Sequence, residues 1–90
     1  MSNDVYSIFG NRVRTKLLLC LSHGEKNVTE LIQNCGLSQS AVSQHLGKLR
    51  TSGMVTSEKI GKEVVYSIKK KKAIDISHML MSLEEEVNKT

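Results

Sequence analysis

Apolar positions along the chain change period twice, and the changes divide it into elements. Over residues 11–22, Val13, Leu17, Cys20 and Leu21 share one face of a 3.6-residue period while Arg12, Arg14 and Lys16 face elsewhere. That pattern predicts an amphipathic helix with Gly24 as its C-cap. Ahead of it, Val5–Phe9 predicts a short helix with Tyr6 and Phe9 at i and i+3. Asn27, with Glu30 three residues on, makes a capping-box pair and opens a helix whose inner side is Val28, Leu31 and Ile32. It stops near Cys35, where Gly36 can take the positive φ of a tight turn. Ser38 caps the next helix, which carries Ala41, Val42, His45, Leu46 and Leu49 and ends at Gly53.

Beyond Gly53 the period falls to two. Residues 54–59 and 63–68 alternate as strands, and Ile60-Gly61-Lys62 predicts the hairpin loop between them. A basic run at 69–72 follows. Then Ala73, Ile76, Leu80, Leu83 and Val87 recur at 3-4-3-4 spacing, a heptad seam on a helix reaching about Asn88. The expected fold class is mainly α with a β-hairpin. Two short helices joined by a Gly turn and followed by a hairpin form a winged helix-turn-helix. The helix-turn-helix is expected at about 28–51, the wing at about 54–68 and the last helix at about 72–88, within a single domain spanning 1–90.

The second helix of that pair has an outward face of unusual composition. Ser38, Gln39, Ser40, Ser43, Gln44 and Lys48 supply neutral hydrogen-bonding groups and one cation, with no acid between Glu30 and Glu58. Glutamine can pair bidentately with adenine, and serine can contact bases or phosphates. A carboxylate on this face would repel phosphate, so its absence counts. His45 has two readings on helical spacing, a DNA contact or a half-buried packing residue. Lys59 and Lys62 flank the hairpin tip, where a cation can reach a phosphate or simply keep the hairpin soluble.

Charge and composition agree with a polyanionic partner. The chain of 90 residues carries a net charge of +4. Its three aromatic residues, Tyr6, Phe9 and Tyr66, are too few for a base-stacking platform, which favours duplex DNA over single strands. A chain this short gains from the extra burial that dimerisation provides. The longest apolar run, at 17–21, cannot span a bilayer and no secretory leader is seen, so the expected location is the cytoplasm. In that compartment no structural disulfide is expected between Cys20 and Cys35, and their spacing is not that of a metal site. No nucleophile–base constellation, catalytic carboxylate pair or phosphate-binding Gly loop is present. The expectation is a non-enzyme with no cofactor and no membrane partner.

Leu37-Ser38-Gln39-Ser40-Ala41-Val42-Ser43-Gln44-His45-Leu46-Gly47-Lys48-Leu49-Arg50 resembles the recognition-helix signature of the ArsR/SmtB repressors. Arg14-Thr15-Lys16-Leu17-Leu18 with Ser22-His23-Gly24-Glu25 is similar to that family's second-helix pattern, and Gly53-Met54-Val55 leading to Gly61-Lys62-Glu63-Val64-Val65-Tyr66-Ser67-Ile68 is similar to its wing. The resemblance implies a homodimer that represses by occupying a palindromic operator. It implies an interface of the first and last helices, carried here by Tyr6, Phe9, Ala73, Ile76, Leu80, Leu83 and Val87. Ser38, Gln39, Ser40, Ser43, Gln44 and His45 match the DNA-reading segment.

The departures from the family concern effectors. Asn27 and Thr29 stand where many relatives carry a metalloid-binding cysteine pair. On the last helix Ser77 replaces a histidine, and Asp75 and His78, at i and i+3, read as a solvated polar face or as a pair sharing a hydrogen bond or a metal. Cys20 is one position from the place of a sulfur-sensing cysteine, but the last helix has no partner thiol. Cys20 therefore reads as a core residue, Cys35 as either a helix-end packing residue or a lone redox-sensitive thiol, and no effector is identified.

Overall fold

The computed structural model describes residues 5–89. Residues 1–4 and 90 of the expected domain lie outside the described residues. The order is α1 (Val5–Phe9), α2 (Arg12–Leu21), β1 (Lys26–Asn27), α3 (Val28–Cys35), α4 (Gln39–Thr51), β2 (Val55–Ile60), β3 (Glu63–Ile68) and α5 (Lys71–Asn88). The strands form one antiparallel sheet in the order β1-β3-β2.

The helices start where side chains can satisfy their first N–H groups. Asn11 accepts from the Arg14 amide at 3.1 Å. Asn27 and Glu30 form a complete capping box, each side chain accepting from the other residue's amide. Ser38 Oγ accepts from the Ala41 amide at 3.2 Å. α5 lacks such a cap: Lys70 stands at its start with no side-chain bond, and no acid lies in its first turn.

α2 is the central helix, packed against α1, α3, α4, α5 and β3. Its Leu17 and Leu18 are fully buried, as are Leu31 of α3 and Val42, Leu46 and Leu49 of α4. Burial of each such side chain stabilises the fold by about 1.5–3 kcal/mol. No helix among the described residues is long and apolar enough to cross a membrane.

The structure corrects the sequence reading at several places. Arg14 does not face outward but is buried at 7% exposure, because positions 14, 17, 18 and 21 share the inner face of α2. Cys20 and Cys35 are joined as a disulfide, which ties α2 to the end of α3. Compartment and spacing speak against such a bridge, but the packing of α3 on α2 decides which thiols meet. Ala73 was expected on the outer seam of α5, yet it is buried in the chain's own core. The cap of α2 is Ser22 rather than Gly24. Ile60 belongs to β2, paired with Glu63, so the hairpin loop is only Gly61 and Lys62. Gly61 has φ 63°, a positive value at the first central position that suits a two-residue hairpin turn.

Candidate nucleic-acid interface

α4 is held on the body by one stripe. Val42, Leu46 and Leu49, spaced by four and three residues, are fully buried on α3 and α2. The rest of the helix surface is thereby turned outward. Ser38, Gln39, Ser40, Ser43, Gln44 and Lys48 are all exposed. The angle between α3 and α4 is set at Gly36, whose φ of 66° and N–H hydrogen bond donated to the Ile32 carbonyl end α3 sharply. Lys48 and Arg50 fall in the last turn of α4, where cations complement the helix dipole.

His45 occupies the border of this surface and is half-buried. Its Nδ1 lies 3.2 Å from Arg14 Nη1. Burial lowers the imidazole pKa below its ordinary 6.5, and the neighbouring Arg14 and Lys48 charges push it the same way. His45 is thus neither purely a packing residue nor fully presented to solvent.

The wing lies next to this helix in the chain and in packing. β2 follows α4 directly and packs on it, and Arg50 donates to Ser57 Oγ of β2 at 3.4 Å. Lys59 and Lys62, on either side of the turn, are exposed. The strand register pairs Lys59 with Val64 and Ile60 with Glu63.

A second exposed surface is apolar. On α5, Met79, Leu83 and Val87 are 72%, 55% and 61% exposed, and Ile76 is exposed as well. Tyr6 of α1 is 91% exposed, while Phe9 packs partly against the core. Leu80 and Leu83 of α5 and Phe9 beside α2 line a shallow groove, bridged by an ion pair between Arg12 and Glu84. Ala73 does not contribute to this outer surface. Asp75 and His78 are exposed, and among the described residues no three His, Cys, Asp or Glu side chains cluster so as to hold a metal ion.

Arg14 and Arg50 also belong to the α4 surface, through their contacts to His45 and Ser57. Helical spacing did place Arg14 with Leu17, Leu18 and Leu21, but its charge argued for the opposite face. Nothing in the sequence pointed to the Arg50–Ser57 contact.

Residues 11–57, which hold α2, the helix-turn-helix and the start of the wing, match the model of the arsR family of bacterial regulatory proteins. The chain belongs to that family. It is 37% identical over 71 residues to a biofilm growth-associated repressor of Xylella fastidiosa, covering 79% of this chain and 62% of that one. It is 38% identical over 73 residues to the transcriptional activator HlyU of Vibrio cholerae, covering 78% of this chain and 68% of the other. The structure of the repressor BigR from Xylella fastidiosa superposes with a TM-score of 0.78 at 33% identity, over 87% of this chain and 80% of that one. The chain therefore has the winged helix-turn-helix of these regulators. It spans 62% of the length of the biofilm repressor and 56% of that of another curated relative. Such relatives are transcriptional regulators rather than enzymes, and arsR-family regulators bind DNA.

Proposed function

We propose that this protein is a sequence-specific duplex-DNA-binding regulator of transcription, acting in the cytoplasm as a homodimer that represses by occupying a palindromic operator. The observation that carries the reading is the outward, acid-free face of α4, fixed from behind by Val42, Leu46 and Leu49. A helix anchored in this way can enter a major groove with Gln39, Ser40, Ser43 and Gln44 toward base edges. Ser38 at the helix start suits a phosphate, and Lys48, Lys59 and Lys62 add cations around it.

Dimerisation is supported by the apolar surface of α5 and α1. Ile76, Met79, Leu83 and Val87 repeat along one side of α5 and leave an exposed stripe beside the groove that Phe9, Leu80 and Leu83 line, and Tyr6 of α1 is exposed as well. A second copy would remove this stripe from water and place two α4 helices for two half-sites. The names of the relatives cover both a repressor and an activator. We assign repression because occupancy of a promoter needs no surface beyond the two described. The whole reading assigns the chain no catalytic role.

Selection of bound sequences from a random duplex pool tests this reading. The expected product is a two-fold symmetric site with half-site centres about 10 bp apart or a multiple of that. Recovery of sequences with no enrichment over the input pool would overturn it.

A further inference from the structure

Among the described residues Arg14 is a buried cation without a carboxylate. Among the described residues its guanidinium makes no ion pair. Its partners are neutral acceptors: Nε donates to the Ile8 carbonyl at 3.1 Å, Nη2 to the Ser7 carbonyl at 2.9 Å, and Nη1 to His45 Nδ1 at 3.2 Å. The two carbonyls belong to α1, whose C=O groups have few partners within so short a helix. One side chain thus ties α1 to α4 through the central helix.

The chemistry of this contact settles the state of the imidazole. Arginine offers only donors, so Nδ1 must accept, and the neutral ring then carries its proton on Nε2. Among the described residues no buried side-chain nitrogen or oxygen lacks a partner. Among the described residues Nε2 makes no hydrogen bond, so it must reach the surface, on the side of the ring away from Arg14. His45 therefore offers one outward N–H beside Gln44 and Lys48, and duplex DNA offers acceptors on its phosphates and base edges.

We propose that Arg14 is a positioning residue of the DNA-reading surface, which fixes His45 with Nδ1 inward so that Nε2–H donates to an acceptor on the duplex. This rests on the reading of α4 as the DNA-reading helix. It adds to that reading an Arg14–His45 relay joining the helix that bears Tyr6 to the helix that reads DNA. The low basicity of His45 fits the arrangement, because a proton on Nδ1 would break the Arg14 bond. The charged groups facing the ring are Arg14 from α2 and Lys48 from α4.

The test combines nitrogen-15 NMR of the His45 ring with binding titrations. The probes are a duplex recovered from the random pool and a scrambled duplex of equal length and composition. Free wild-type protein should show the Nε2–H tautomer, and the recovered duplex should move the Nε2 signal. Arg14→Lys, which keeps the charge and loses the fork, should mix the tautomers and weaken binding about tenfold. His45→Asn keeps an acceptor near Nδ1 and lacks the outward donor. It should lose a similar factor with Arg14 intact, so the test stands even if Arg14→Lys does not fold. Equal losses on both duplexes place the acceptor on phosphate, and a loss confined to the recovered duplex places it on a base. Either outcome supports the relay. A proton on Nδ1, an unmoved Nε2 signal, or full affinity in His45→Asn overturns it while DNA binding stands. Failure of the wild-type protein to bind any duplex overturns the DNA-reading assignment and the relay with it.

Discussion

Cys20 of α2 is bonded to Cys35, the last residue of α3, so the first helix of the helix-turn-helix is covalently tied to the central helix of the core. The bond closes a loop with a sequence separation of 15, which contains β1 and nearly all of α3. Closing a loop of that size restricts the unfolded chain and is worth about 3 kcal/mol in the chain-entropy model. Urea unfolding with and without a thiol reductant should show a lower midpoint in the reduced protein. The Cys20→Ser/Cys35→Ser double variant should match the reduced protein and ignore the reductant. Superimposable curves for wild-type protein in the two conditions would remove the bridge from the account of stability.

Base reading and phosphate contact separate by substitution. Gln39 and Gln44 are exposed on α4, where a bidentate amide contact to adenine discriminates by about 1–3 kcal/mol. Gln39→Ala and Gln44→Ala should narrow the gap between the recovered and scrambled duplexes by amounts in that range. Lys62, exposed at the wing tip, should act differently. Lys62→Ala should weaken both duplexes alike and lower the slope of log affinity against log salt by about one unit per protomer, about two for the homodimer. Loss of discrimination in Lys62→Ala, or its full retention in both glutamine variants, would reverse the assignments.

The elements that could be read from the sequence were those with a period and a cap of their own. α3 and α4 carry complete local signals, Asn27 with Glu30 and Ser38 ahead of Val42, Leu46 and Leu49, so their positions and the outward face of α4 followed. The wing followed from the alternation on either side of Gly61. What escaped was set by tertiary packing. β1 is two residues long, too short for any period, and exists because Lys26 and Asn27 pair with Tyr66 and Val65 of β3. Ala73 and Ile76 share a heptad pattern, but α5 lies on α2 with Ala73 inward and Ile76 outward. Arg14 illustrates the limit most directly, since its inward position is tolerable only because α1 and His45 supply acceptors.

Subunit association depends on the outer side of α5. Leu83 is 55% exposed in the single chain, so a charge there costs the isolated fold little. In a dimer that covers Leu83, the same charge is desolvated without a partner. Leu83→Glu should therefore shift sedimentation toward the monomer and weaken binding to a two-half-site duplex, with thermal unfolding of the monomer little changed. A wild-type sedimentation profile for this variant would exclude the proposed interface.

Acid should destabilise the fold through His45, and the sign follows from its environment. Burial and the Arg14 and Lys48 charges hold its folded-state pKa below the ordinary 6.5, so near and below that pH the unfolded chain binds the proton more readily. The contribution is fully present above about pH 6.5 and is lost as pH falls through the lowered folded value. Protonation also places a cation against the Arg14 guanidinium and removes its acceptor on α4. His45→Gln cannot titrate in this range. The difference in melting temperature between wild type and His45→Gln should therefore rise with pH through the window below about 6.5 and level off above it, while groups common to both proteins cancel. A difference that is flat with pH, or that grows toward acid, would mean that burial and the Arg14 and Lys48 charges do not hold the imidazole neutral.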